Sequence, residues 1–361
     1  MRLHVQIAAV VALTLALALG APLRAVAATG TGKPVALDRY PVCEPSAAIA
    51  VPCSNGSGSI CAWVGDNEQS AALFQYTIDG DGRLAPAEPF EISLGDAKVG
   101  DVEALASDTD GVLVIGSHGR KKSCASDDER VAIARLAGDP VQATQIAGAA
   151  GFDDRKRACE TRWLVLADDA PAAARSLRRD FCAAIAAAER DARPGDPSSC
   201  AGATLNIEGA VTLPDASGND RLWLGLRAPL VQGLGVMLRA APVKPGAKRL
   251  GFDGIALVDL RGQGFRELAR SDGFVWAIAG STATSTDPSH LLRMRTERVA
   301  NGNVIGDTQL IAGADLPPTA EGLIIQPEER RAIVLLDGDI GKTAGSCKKP
   351  PQQLTITDLP Q

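Results

Sequence analysis

The chain has 361 residues, 45% of them hydrophobic and 4% aromatic, and 43 acidic against 37 basic side chains give a formal charge of −6. That balance, without a basic stripe or an aromatic cluster, excludes the usual footprint of a nucleic-acid-binding protein. Eight cysteines, none in Cys-x-x-Cys spacing, argue for disulfides rather than a zinc–thiolate or redox centre.

At the N-terminus, Met1 and Arg2 precede an apolar run from Val5 to Leu19, and Ala25 and Ala27 supply small residues before a cleavage point after Ala27. Residues 1–27 read as a secretory signal peptide. The run is shorter than the roughly 20 residues of a spanning helix, and no later stretch is long and apolar enough to cross a bilayer. The remainder, 28–361, is expected to be one domain, secreted or periplasmic, with no transmembrane segment after signal removal. An oxidising compartment also suits the cysteines.

Along that remainder a glutamate recurs just before or within an apolar run: Glu44, Glu103, Glu208, Glu267 and Glu321, at intervals of 59, 105, 59 and 54. Such periods point to a β-propeller, in which each blade buries its faces only by stacking on its neighbours. The interval of 105 holds either a further blade or an insertion, so five or six antiparallel blades are expected. After each glutamate run comes a turn signal and a second apolar run, as in Gly111–Gly116, Arg221–Leu226, Gly273–Ile278 and Arg331–Leu336. These are predicted β-hairpins.

Cys53 and Cys61 flank Ser-Asn-Gly-Ser-Gly-Ser and are predicted to staple the tip of the first hairpin. Cys43 and Cys347 lie near the two ends, which a closed ring would bring together; spacing selects no partners for the other four. Residues 151–203 break the strand pattern. There Leu177, Phe181, Ile185 and Ala188 repeat at helical spacing ahead of Pro194-Gly195, which predicts an inserted amphipathic helix of about five turns.

The second strand of a hairpin returns to the end where the first began. The expected meeting place of the polar residues is therefore one mouth of the central channel. The residues closing the returning strands are Asp66-Asn67-Glu68, Ser117-His118, Arg227, Ser281 and Asp337. Carboxylates gathered there must be protonated, paired with cations or bound to metal. Glu208 and His118 are the candidate acid–base residues. Asn206, Arg227, Arg266 and Ser117 are the candidate ligand-binding residues, with Arg227 able to clamp an anion. Glu103, Glu321 and Asp337 are candidate oxygen ligands for calcium. With His118 and His290 the only histidines beyond the signal, a histidine zinc site is excluded, and no Gly-x-Ser-x-Gly elbow is present. Arg261-Gly262-Gln263-Gly264 lacks the following helix of a dinucleotide site and reads as an inter-blade turn.

Several segments resemble the secreted bacterial proteins grouped as domain of unknown function 3616, which are similar in outline to phytase-like and esterase-like propellers. Leu205-Asn206-Ile207-Glu208-Gly209, with Leu224-Gly225-Leu226-Arg227-Ala228-Pro229, is the specific part. Gly65-Asp66-Asn67-Glu68, Val114–His118, Gly264–Glu267 and Glu321-Gly322 with Leu336–Asp339 add to it, and together they extend over nearly all of the mature chain. Where this family has an Arg-Asp pair, the chain has Arg266-Glu267. The resemblance implies a propeller and leaves the activity open. From the residues, the first expectation is a mouth that binds a small anionic or polar ligand and supports hydrolysis of a phosphate or carboxylic ester, with calcium as the one cofactor expected. A non-catalytic envelope platform for a protein or glycan partner is the other.

Overall fold

The computed structural model describes residues 26–27, 30–37, 41–53, 59–121, 123–125, 127–138, 141–147, 172–194, 200, 205–241, 251–283, 286–300, 303–306, 308–340 and 346–360. Within them the chain is a five-bladed propeller of antiparallel sheets laid down one after another. Blade 1 comprises Pro45–Pro52, Ile60–Asp66, Ala72–Ile78 and Leu84–Ser93. Blade 2 comprises Val102–Asp108, Gly111–Gly116, Ile133–Ala137 and Gln142–Ala147. Blade 3 comprises Asn206–Pro214, Asp220–Val231, Leu234–Ala240 and Phe252–Val258, and Asn303–Ile305 adds a parallel edge strand. Blade 4 comprises Gly264–Ser271, Phe274–Gly280, Ser289–Arg295 and Gln309–Leu316.

Blade 5 is built from both ends of the chain. Ala320–Gln326, Arg331–Leu336 and Gln352–Thr357 pair in order, and Gly30–Thr31 and Val35–Ala36 then pair with Gln352–Thr357. This closes the ring. Cys43–Cys347, separated by 304 residues, locks the closure covalently, and Cys53–Cys61 staples the first hairpin, as expected. Val26–Ala27 pair in parallel with Ile311–Ala312, so cleavage after Ala27 would remove this two-residue edge. The rest of the expected signal peptide lies outside the described residues.

The apolar residues sort into five clusters, one between each pair of neighbouring blades. Trp63 packs with Leu105 between blades 1 and 2, for example, and Trp223 with Phe265 between blades 3 and 4. Each fully buried side chain of this size contributes about 1.5–3 kcal/mol. The ring is thus held by five faces that no blade could bury alone.

The predicted helix is present as Ala172–Asp191. Its Phe181 and Ile185 join the cluster between blades 2 and 3, which is why apolar residues recur four apart on that face. Cys124–Cys200 ties the loop after Gly116 to the end of this insertion, and Arg120 forms an ion pair with Glu189 of the helix at 2.7 Å. Cys159 falls outside the described residues. The 105-residue interval therefore holds an insertion; among the described residues the one further sheet is the two-stranded ribbon of Asp339–Ile340 and Cys347–Lys349, which lies outside that interval and is not a sixth blade.

One irregularity recurs in every blade. In each first hairpin the register slips by one residue near the start of the innermost strand. Pro45 pairs with Asp66 and then Ala47 with Gly65; Val102 pairs with Gly116 and then Ala104 with Ile115. The residues skipped by these β-bulges are Ser46, Glu103, Glu208, Arg266 and Glu321. In blade 2, Val102 and Leu105 face the same cluster although three positions apart, which a strand of strict period two would forbid. The bulges correct the expected equivalence of the five glutamates: Glu44 lies two positions ahead of its blade's bulge, and Glu267 one position after its own.

Replacing Cys43 and Cys347 together by serine is expected to destabilise the fold by about 2–5 kcal/mol, because the bridge constrains a very long loop in the unfolded chain. Non-reducing urea titration checks this. An unchanged midpoint would assign closure to the paired strands alone.

Candidate functional site at the channel mouth

The five bulged residues occupy the same end of their innermost strands, and those strands pack side by side around the axis in the order of the blades. Asp66, Ser117, Arg227, Ser281 and Asp337, at or beside the ends of the returning strands, join them there. Arg266 is the central cation. Its Nε lies 3.2 Å from Glu208 Oε2, and its Nη2 pairs with Glu321 Oε1, so one guanidinium in blade 4 engages carboxylates of blades 3 and 5. Glu208 is held further by Arg227 Nη1 at 2.7 Å and by Asn206 Nδ2, which donates at 2.8 Å. Arg227 Nε also donates to Ser281 O of blade 4 at 3.1 Å. Glu208, Asn206, Arg227 and Arg266 are thus brought together as one bonded group.

A second group sits beside it. Ser117 Oγ donates to Asp101 Oδ2, and Arg130 Nη1 pairs with the same oxygen at 3.0 Å. Asp101 and Arg130 were not singled out in the sequence. The Asp101-Val102-Glu103 run was visible, but the loop contact that returns Arg130 to it was not. His118 follows Ser117 at a φ of 56° and is only 1% exposed. Its N–H donates to Arg130 O, which makes it a buried residue of the same loop. Asp66 serves the backbone: Cys43 N, Glu44 N and Glu68 N donate to its carboxylate.

Glu103 stands apart. It is 9% exposed and, among the described residues, makes neither a hydrogen bond nor an ion pair. Burial, then the nearby Glu208 and Asp101, raise its carboxyl well above the ordinary carboxylate range. Burial, reinforced by Glu44, also pushes Asp337 up to about 7, although Arg266 opposes the shift. For Arg266, burial pulls the guanidinium down and Arg227 adds like-charge repulsion, both countered by Glu208. Arg227 moves up because Glu208 outweighs its burial.

Glu267 is fully buried and faces a different task. It accepts from Leu268 N at 2.8 Å and from Ala48 N of blade 1 at 3.1 Å, and blade 1 is not a neighbour of blade 4 in the ring. This carboxylate therefore crosses the axis. Burial holds its pKa well above normal despite those two donors. Beyond it, toward the other end, a cavity of about 500 Å³ is lined by residues of all five innermost strands, including Ala48, Ala106, Ala210, Ala269 and Leu323. This part of the channel thus lies away from the glutamate mouth, where small alanines leave space on the axis.

Glu321 is engaged by Arg266, and among the described residues no three His, Cys, Asp or Glu side chains converge closely enough to hold a metal ion.

Residues 200–340 match the model of the family described as "Protein of unknown function (DUF3616)", which shows the resemblance drawn above over that part of the chain. The matched span includes Asn206, Glu208, Arg227, Arg266, Glu321 and Asp337. No curated protein matches the chain. Among solved structures it is similar to a xylan β-1,4-xylosidase from Bacillus halodurans C-125, at 10% identity and a TM-score of 0.39, over 88% of this chain and 54% of that one. It is also similar to the phage phi92 endosialidase, at 8% identity and a TM-score of 0.33, over 94% of this chain and 51% of that one. The chain therefore spans about half the length of each.

Replacing Arg266 with methionine leaves two buried carboxylates without their shared cation, and a loss of about 3–5 kcal/mol is expected at neutral pH. In the wild type, native Asp337 keeps a proton between its unfolded value of 3.8 and about 7 that the unfolded chain has released. Stability should accordingly fall as pH rises through this window, and Asp337→Asn should flatten the fall. Denaturant melts from pH 4 to 8 measure both effects.

Proposed function

We propose that the protein acts outside the cytoplasm as a hydrolase that binds a small polar ligand at the glutamate mouth and cleaves an ester bond there. Glu103 carries the reading. A deeply buried, unbonded carboxyl with a raised pKa at a channel mouth is suited to give a proton to a leaving oxygen. Asp337, at about 7, has the proton affinity that a base activating water near neutral pH requires. Glu208 is engaged by Arg227, Arg266 and Asn206, which suits it to orienting ligand and water rather than to moving protons.

His118 is too deeply buried to meet a ligand unless its loop moves, so the acid–base role first expected for it passes to Glu103. Because Arg227 and Arg266 already face carboxylates, an anionic ligand would have to compete with Glu208 and Glu321. A neutral polar ester fits the mouth better than a phosphate. Export to an oxidising compartment belongs to the same reading, supported by the three disulfides among the described residues. No helix among the described residues is long and apolar enough to cross a membrane.

The test is a panel of carboxylic esters and phosphomonoesters, assayed with and without calcium. Turnover of a carboxylic ester should rise with pH through about 7. Glu103→Gln should lower kcat by about 100-fold or more while leaving ligand binding largely intact, as loss of a general acid does. Asp337→Asn should remove the rising limb. If nothing on the panel turns over, or Glu103→Gln turns over its ester as fast as the wild type does, the enzymatic reading fails and the interaction platform takes its place. Deleting the helix would not separate the two readings, since Phe181 and Ile185 belong to the core.

A further inference from the structure

The mouth has a side pocket on blade 4. Arg261 and Gln263, just ahead of the innermost strand Gly264–Ser271, form one wall, and Ser281, Thr282 and Asp287, after the returning strand Phe274–Gly280, form the other, with His290 behind them. The pocket measures about 330 Å³, toward the small end of ligand sites, which run from about 300 to 1,000 Å³. Ser281 joins it to the mouth, because its carbonyl is the group that accepts from Arg227 Nε.

Hydrogen bonds fix both walls without spending the groups that face a ligand. Gln263 Nε2 donates to Pro288 O at 3.0 Å and so ties one loop to the other. Arg261 N donates to Asp259 Oδ1 at 3.0 Å and Gln263 N to Leu260 O at 3.1 Å, which sets the turn that holds Arg261 at a φ of 59°. The Arg261 side chain itself is exposed, and among the described residues its guanidinium has neither a hydrogen bond nor an ion pair. His290 turns Nδ1 toward Asp315 Oδ1, 3.3 Å away, and that nitrogen is shut off from solvent, so Nε2 is the ring atom left for the pocket.

The lining groups select a ligand class. Arg261 and Asp287 offset one another, so an ion of either sign meets repulsion as well as attraction. Pro288 is the one hydrophobic residue of the lining, so an alkyl chain or an aromatic ring gains little by entering. A run of hydroxyls fits, since each one both donates and accepts: it can donate to Asp287 or His290 Nε2, accept from Arg261, and do either with Thr282. We infer that this pocket holds the alcohol half of the ester proposed above and that this half is a polyol, a chain or ring bearing several hydroxyls. The ester link rests on the reading of the mouth; recognition of the hydroxyls rests on the pocket itself.

Ligand-observed NMR titration measures binding without turnover, with glucitol as the polyol and hexanediol as the control of equal chain length. Glucitol should bind saturably and more tightly than the diol. Arg261→Gly, which keeps the positive φ free of strain, and Thr282→Val should each weaken it about fivefold, as loss of one hydrogen bond does. In steady-state assays, glucitol monoacetate should exceed ethyl acetate in kcat/KM by about tenfold through a lower KM, and that ratio should fall toward one in Arg261→Gly. No saturable glucitol binding, equal binding of hexanediol, or affinity unchanged in both variants overturns the pocket assignment, even where simple esters are hydrolysed. Saturable glucitol binding that both variants weaken, with no turnover of either acetate, keeps the pocket and discards the ester. Circular dichroism reports whether a variant has kept its fold.

Discussion

Three blades of this propeller meet on one guanidinium. Arg266 faces Glu208 on one side and Glu321 on the other, and it does so because a β-bulge at the same place in each innermost strand frees one side chain from the blade interface. Ionised carboxylates so close to a common axis, with little water, repel strongly and lose hydration. A cation at the centre is what lets the ring close with charged groups inside it. The neutral Ser46 at the equivalent place in blade 1 fits the same constraint, since it spends its hydroxyl on Val102 O of blade 2 rather than adding another charge.

The arrangement leaves an imbalance that gives the mouth its chemistry. The five bulges present three glutamates, one arginine and one serine. Arg266 engages two of the glutamates, and Arg227 supports Glu208 from the side. Glu103 has no such partner, and burial, with Glu208 and Asp101 nearby, holds its carboxyl well above the ordinary carboxylate range. Deeper in, Glu267 spans the channel to Ala48 N and separates the mouth from the alanine-lined cavity beyond. The two ends of the channel are therefore distinct environments, one crowded with paired ionic groups, the other a cavity lined by small apolar strand residues beside Asp108, Asp220, Arg270 and Asp272.

Rigidity around the mouth has identifiable sources. The loop bearing Ser117 and His118 is tied to the helical insertion by Cys124–Cys200 and by the Arg120–Glu189 pair, and the insertion is anchored by Phe181 and Ile185. The ring itself is closed twice, by strands from the N-terminal segment and by Cys43–Cys347. Such bracing suits a site whose carboxyl groups must keep fixed spacings, because buried ionic groups are costly whenever one partner drifts away.

The hairpins, the helix, the Cys53–Cys61 staple and the end of the channel at which the polar residues gather were all legible in the sequence. Each depends on local signals: alternation, turn residues, helical spacing, and the return of a hairpin to its starting end. Asn206, Glu208 and Arg227 were legible together because they share one hairpin. What the sequence could not express was register. Whether Arg266 or Glu267 turns toward the mouth depends on a one-residue slip in pairing, and such a slip decides which face a side chain takes. For the same reason Ser46 stayed hidden while Glu44 drew notice, and the blade count waited on seeing the long interval filled by a helix. Local propensity determined what this chain's elements are. Only tertiary packing, through strand register and the need to pair buried charge, decided which of its acids are engaged and which one is left without a cation.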